Sequence, residues 1–191
     1  MAIISLSLKE NNIKQMKKIL AIGASNSTKS INKKFAIYVA QQIEDAEILI
    51  ADLNELSLPL FSADLEATNG IPANATKFSE LIEAADGIVL SLTEHNGMVT
   101  AAFKNLWDWT SRIEMEIWKN KPMLLMAAAP GGRGGTSVLG ITKSILPYYG
   151  GNVIADFSLP KFHDNFTADG IKDPALNEEL NQKIKLFQNA I

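Results

Sequence analysis

Five short apolar runs, Ile19–Ile22, Ala46–Ala51, Gly87–Leu92, Met123–Ala128 and Asn152–Phe157, are spaced along this chain with helical patterns between them. Most are apolar at consecutive rather than alternate positions. That suits strands covered on both faces, the usual environment of a parallel sheet. Between the runs the apolar period changes. Ile31, Phe35, Tyr38, Val39 and Ile43 share one face of a helix over Ile31–Ile43. Thr76–Ala85 follows the same rule, as does Val99–Ile113 through Val99, Ala102, Phe103 and Leu106. Thr136–Tyr149 reads as a fourth helix, closed by Gly150-Gly151. Ala175–Ile191 reads as the last, with Pro174 in its first turn and Leu176, Leu180, Ile184 and Phe187 inward.

Strand–helix alternation with short connections predicts an α/β fold, an open parallel sheet with helices on both faces. Right-handed crossovers leave few topologies. Five strands favour a flavodoxin-like three-layer sandwich of strand order 2-1-3-4-5 over a six-stranded dinucleotide fold. A chain of 191 residues, 47% of them hydrophobic, suffices for one domain with a sizeable core. No internal repeat or second domain is visible. The domain is expected to span residues 16–191, because Met16-Lys17-Lys18-Ile19-Leu20 runs straight into the first strand. Residues 1–15 are expected to be an extension, disordered or foreign to it. Their apolar stretch is too short for a signal peptide and no cleavage site follows it. The longest irregular piece is Asp52–Ala75, a length that implies function or ordered packing.

Composition excludes several classes. A net charge of −3 gives no broad basic surface, which argues against nucleic acid as a partner. Nothing approaches the roughly 20 apolar residues of a membrane helix, so no membrane partner is expected and the cytoplasm is the expected compartment. With no cysteine there is no disulfide, thiolate nucleophile or thiolate-ligated metal. Two histidines, His95 and His163, are too few for a histidine-rich metal site. No metal site is expected.

In such a sheet, ligands bind beyond the carboxyl ends of the strands, where the strand order reverses. Three polar loops lie at that edge. The first, Gly23–Asn32, includes Ser25, Ser27, Ser30, Ile31 and Asn32. A strand, a small-residue loop and a helix start together make a phosphate site, because orphan amides, hydroxyls and the helix dipole all favour an anion. An ordinary connection with Ser30 as N-cap accounts for the same residues. Neither a Walker loop nor a GxGxxG fingerprint fits, since Thr28 stands where the first requires glycine, and Ser25 and Thr28 where the second does. A hydroxyl-rich loop suits a terminal phosphomonoester. The second loop, Thr93-Glu94-His95-Asn96-Gly97, ends a buried strand and could do no more than cap the following helix. The third, Ala129–Thr136, brackets Arg133 between the pairs Gly131-Gly132 and Gly134-Gly135. Glycine there relieves a tight turn or lets backbone approach a ligand; two pairs around an arginine favour a ligand wall.

These loops, taken in order and spacing, resemble those of the NADPH-dependent FMN reductase family, over nearly all of the chain from Lys18 to the C-terminal helix. Ser25, Ser30 and Asn32 fall on the polar positions of a GSxRxxSxN-type phosphate loop, with Ser27 in place of its arginine. Thr93–Gly97 falls on a PEYNxS-type loop, with Thr93 and His95 replacing the proline and tyrosine. Gly131, Gly132, Arg133 and Gly134 fall on the glycine-containing third loop, and Lys104-Asn105, Asp108-Trp109, Asp52-Leu53 and Leu58-Pro59-Leu60-Phe61 also match. The resemblance implies an FMN-dependent oxidoreductase. Hydride would pass from NADPH or NADH through bound FMN to a small-molecule electron acceptor: a quinone, azo compound, metal ion or free flavin. Thr93, Glu94, His95, Asn96 and Gly97 would meet the flavin edge, and no side chain need act as catalytic acid or base. The alternatives are a flavodoxin-like electron carrier and a degenerate member that binds no flavin. Around the third helix, Phe103, Trp107, Trp109, Met115 and Trp118 supply more aromatic surface than one sheet face is expected to cover, although packing in the core accounts for the same residues. The resemblance implies instead a homodimer or homotetramer joined through this helix.

Overall fold

The fold is that of a computed structural model describing residues 16–191. The extension expected at residues 1–15 lies outside the described residues. In chain order the strands are β1 (Lys17–Ala24), β2 (Ala46–Ala51), β3 (Gly87–Leu92), the two-residue β4 (Glu94–His95) and β5 (Met98–Val99), β6 (Pro122–Ala128), β7 (Asn152–Leu159), and the short β8 (Phe166–Thr167) and β9 (Gly170–Ile171). The helices are α1 (Ile31–Ala40), α2 (Ala63–Asn69), α3 (Ala73–Ala84), α4 (Ala101–Thr110), α5 (Thr136–Ile145), the single turn α6 (Phe162–Asn165) and α7 (Pro174–Gln188). The main sheet is parallel, in the order β2-β1-β3-β6-β7. Counted among sheet strands alone, this is the flavodoxin-like order 2-1-3-4-5.

The consecutive apolar runs are explained by where their side chains go. Leu20 and Ile22 of β1 join a core under α3, α4 and α5, while Ile19 and Ala21 join a second core under α1 and α7. The same alternation runs through β3 and β6, where Leu90 and Leu125 enter the first core and Val89 and Leu124 the second. Both faces of these strands are buried, so apolar residues fill consecutive positions, and buried Ser91 in β3 is accommodated through its hydrogen bond to Asn32. Each fully buried Leu or Ile contributes about 1.5–3 kcal/mol.

Two helix starts differ from the sequence reading by more than one residue. α3 begins at Ala73 behind Pro72, before its apolar face starts. α4 begins at Ala101 rather than Val99, because Met98 and Val99 pair with Glu94 and His95 as a hairpin. The stretch Asp52–Ala75 is not wholly irregular: it contains α2 and the start of α3. Of the two readings open for the aromatic residues around α4, the structure favours the core. Phe103, Trp107, Trp109 and Trp118 are all buried within one chain, and only Met115 among that group is exposed. Trp109 donates its indole N–H to Pro59 O at 2.7 Å and meets Phe61 edge-on. Asn105 donates to Pro59 O at 3.0 Å and accepts from Phe61 N at 2.8 Å. The family-like Asn105 and Trp109 thus anchor the long loop to α4.

Candidate cofactor site

The end of β1 leads into the first loop with α1 close beneath it. A Cβ at Gly23 would lie 2.4 Å from the backbone N and Cα of Lys33, so only glycine lets α1 cross the strand this closely. Within the loop, Ser25 Oγ accepts from Ser27 N at 3.1 Å, Ser27 Oγ from Lys29 N at 3.3 Å, and Ser30 Oγ from Lys33 N at 3.1 Å. Ser30 is therefore the N-cap of α1. In each serine the oxygen is engaged by the loop's own backbone, and the O–H remains to donate. The first helical bond of α1 is Lys34 N to Ser30 O at 3.3 Å, so the amides of Ile31 and Asn32 precede the helical ladder. Donors without acceptors at a helix start suit one ligand class: an anion made of oxygens.

Asn32 does not offer its side chain to such an anion. Its Oδ1 accepts from Ser91 Oγ at 2.7 Å and from Ala128 N at 2.9 Å, and its Nδ2 donates to Ala128 O at 2.9 Å and Thr93 Oγ1 at 3.0 Å. All four hydrogen bonds available to an amide side chain are made. The residue is 1% exposed. Only its backbone amide remains for a ligand; the side chain is a strut joining α1 to β3, β6 and the second loop.

The second loop is a β-hairpin. Asn96 and Gly97, at φ 53° and 81°, form its two-residue turn between β4 and β5, an Asn-Gly pair suited to two successive left-handed residues. Thr100 then caps α4 by accepting from Phe103 N at 3.2 Å and donates to Ala24 O at 2.9 Å, which ties the hairpin's base to the first loop. Glu94 caps a helix, but not the one that follows it. Its Oε2 accepts from Val138 N in α5 at 3.1 Å, and its Oε1 lies 3.7 Å from Arg133 Nη2.

The third loop divides into two glycine pairs with different jobs. Gly134 and Gly135 are buried and have φ of 61° and 79°; a Cβ at Gly134 would lie 2.3 Å from Ser158 Oγ. These two serve the turn. Gly131 and Gly132 are exposed, and a Cβ at either would meet nothing within 4 Å. They are the pair left beside open space. Arg133 is exposed and donates to Ser137 Oγ at 3.0 Å.

Ser25, Ser27, Lys29, Ser30, Ile31, Asn32, Thr93, Glu94 and His95 meet Ala128, Ala129 and Pro130 around a cleft of about 290 Å³. Asn96 and Gly97, at the hairpin tip, and Gly131, Gly132, Arg133 and Gly134, which follow Pro130 in the third loop, are not among the residues that line it. Ala129 and Pro130 belong to the third loop seen in the sequence, but only Gly131–Gly134 are singled out there, whereas the cleft is lined by the end of β6 at Ala128 and by Ala129 and Pro130. Lys29 is the cation lining this cleft. Lys33 is engaged elsewhere, 2.6 Å from Asp52. Burial opposes ionisation of Asp52, but the Lys33 ammonium and the Asn54 donors outweigh it and hold its carboxyl below the usual range. Arg112 is engaged too, with its Nε 2.9 Å from Glu66 Oε1.

The family model described as NADPH-dependent FMN reductase matches residues 17–164. Over 125 residues the chain is 30% identical to a quinone reductase of Escherichia coli (strain K12), covering 65% of this chain and 64% of that protein. It is 36% identical over 104 residues to an NADPH azoreductase of Bacillus sp. (strain OY1-2), 54% of each chain. The matched stretch therefore spans just under two thirds of the first relative and about half of the second. Among solved structures, the flavoenzyme NAD(P)H:(acceptor) oxidoreductase FerB from Paracoccus denitrificans has a TM-score of 0.72 at 23% identity, over 92% of this chain and 97% of that one. That likeness speaks to the fold. The family match runs from β1 through β7 and takes in all three loops around the cleft, and on it the chain belongs to the NADPH-dependent FMN reductase family.

Proposed function

We propose that this chain is an FMN-dependent NAD(P)H oxidoreductase that reduces a small acceptor of the quinone or azo class. The observation that carries the reading is the set of donors left over in the first loop: three serine hydroxyls whose oxygens are already engaged, and the amides of Ile31 and Asn32. They fit the terminal phosphate of FMN, which offers acceptors only. Ser25, Ser27, Ser30 and the start of α1 would hold the phosphate, with Lys29 beside it as a point charge. The second loop and Ala128–Pro130 would flank the ring. FMN, once bound, supplies the chemistry, taking hydride from NADPH or NADH and giving electrons to the acceptor.

The protein's own part is positioning. Among the described residues that line the cleft there is no Phe, Tyr or Trp, and His95 supplies the aromatic ring there. A flavin not clamped between large aromatic residues favours an enzyme over an electron carrier. Among the described residues no helix is long and apolar enough to cross a membrane. The cytoplasm, where reduced nicotinamide nucleotides are held, is the compartment this reading implies.

Wild-type protein should bind FMN far more tightly than riboflavin, which lacks the phosphate. Hydrogen bonds to a charged group are worth about 1.5–3 kcal/mol each. Ser30→Ala should therefore weaken FMN about tenfold or more by calorimetric titration and leave riboflavin nearly unchanged. Equal losses for both would leave Ser30 a helix cap and nothing else. Absence of FMN binding by the wild type would overturn the reading.

The same reading includes a homodimer or homotetramer. It is supported by an apolar groove of about 190 Å³ between α4 and α5, lined by Met98, Val99, Trp107, Ile141, Ile145 and Tyr149. Lys104 and Asp108, an ion pair one turn apart on α4, also line it. Such a pair can exchange partners with its copy across a two-fold axis. Light scattering should give a multiple of the chain mass, and Ile141→Glu should reduce it to one chain. A monomeric wild type would remove this part of the proposal.

A further inference from the structure

α5 starts without a cap of its own. Its N-cap position is Gly135, which has no side chain to accept from the first turn. Nor can the position carry serine, threonine or aspartate, the usual caps. Its φ is +79°, and a Cβ there would lie 2.9 Å from Ala127 Cβ. The missing acceptor comes from Glu94, 44 residues earlier in sequence, whose Oε2 takes Val138 N–H at 3.1 Å. A carboxylate is favoured at a helix N-terminus by the helix dipole as well as by the hydrogen bond. Glu94 itself lines the cleft, and its other oxygen is 3.7 Å from the exposed guanidinium of Arg133.

We propose that Glu94 is a positioning residue that clamps the hairpin loop to the start of α5, and that its charge, balanced in part by Arg133, sets the reduction potential of the ring held between those loops. The second half rests on the FMN reading above; the first does not. One side chain thereby does two separable things. Its oxygen as an acceptor fixes the distance between the second loop, which lines the cleft, and the start of α5. Its negative charge opposes the build-up of electron density in the cleft, and Arg133 offsets that opposition.

Three variants separate these roles. Glu94→Gln keeps an acceptor oxygen and removes the charge; Glu94→Ala removes both; Arg133→Ala removes the counter-ion. In the apoprotein, which needs no flavin, thermal unfolding of Glu94→Ala should begin several degrees earlier than wild type, and Glu94→Gln should restore most of the loss. Equal instability of both, or no loss in either, would overturn the clamp. Spectroelectrochemical titration of the FMN-loaded proteins should move the midpoint to less negative values in Glu94→Gln and to more negative values in Arg133→Ala. Unmoved midpoints in protein that binds FMN normally would overturn the charge role. Wild type that fails to bind FMN instead marks failure of the cofactor reading, with the apoprotein result still standing for the clamp.

Discussion

Asn32→Ala should lower the thermal midpoint by about 10 °C and reduce FMN binding below detection. The side chain is 1% exposed and makes all four of its hydrogen bonds to the chain itself. Truncation strands the hydroxyl of Ser91, which is 0% exposed, and both backbone groups of Ala128, which is 2% exposed. Each stranded group costs about 1–3 kcal/mol. Even near the low end the total is about 4 kcal/mol, and each kcal/mol moves the midpoint by about 2–4 °C in a domain of this size. The loss falls on the site because the strut connects α1, the second loop and the end of β6. Asn32→Asp should do no better. It keeps the acceptor for Ser91 and Ala128 N–H, but turns the two donors into an oxygen facing Ala128 O and Thr93 Oγ1. Differential scanning calorimetry of both variants decides the matter. A midpoint within 2–3 °C of wild type would mean that the site relaxes or takes in water, and that Asn32 is not the strut.

The sequence made the sheet legible because its signal is physical and local. Ala46–Ala51 and Gly87–Leu92 have the same bounds as β2 and β3, and the other three runs lie inside their strands. α2 left no such signal. None of its residues is buried, so no apolar period marks it. Its termini were marked all the same, by Ser62, which accepts from Leu65 N, and by Gly70 at φ 71°. The β4–β5 hairpin was masked differently. With strands of two residues there is no alternation to see, and the turn dipeptide Asn96-Gly97 carried the information alone.

The candidate site divides along the same line. That the three loops share one edge follows from parallel topology, which can be read from strand–helix alternation. Which polar side chains are free for a ligand cannot. Asn32 and Ser30 look equivalent in sequence, yet one is saturated by β3 and β6 and the other keeps a donor. From its position in sequence Glu94 can be read as meeting the flavin edge or as capping the helix that follows, but the helix it caps is α5, across a gap of 44 residues that no local pattern spans. The aromatic group around α4 left two readings open for a related reason. Composition counts ring area, but only packing shows that Phe61, Phe78 and Tyr149 enclose those rings within one chain.

Gly23→Ala should cost about 3 kcal/mol or more and weaken FMN severely, whereas Gly131→Ala should weaken FMN without touching stability. Each adds one methyl beside the proposed site, but the surroundings differ. At Gly23 the new Cβ would sit 2.4 Å from the N and Cα of Lys33, and 2.8 Å from its Cβ. Those are backbone and near-backbone atoms, which cannot swing aside as a side-chain tip can. The contact can be relieved only by moving α1 off β1. Overpacking of this kind costs about 1–3 kcal/mol and sometimes more, or roughly 6–12 °C at the upper figure. Because Lys33 N is also the amide that Ser30 caps, moving α1 takes the phosphate donors with it. At Gly131 nothing lies within 4 Å of a Cβ and φ is not in the left-handed region. The folded chain has no reason to resist the methyl, so a loss of FMN affinity there reports on the ligand's own contact with the wall. Thermal unfolding and FMN titration of the pair test both halves. An unshifted midpoint for Gly23→Ala would show that α1 is not held against β1 by contact. Full FMN affinity in Gly131→Ala would take that glycine out of the ligand wall and leave it an open turn.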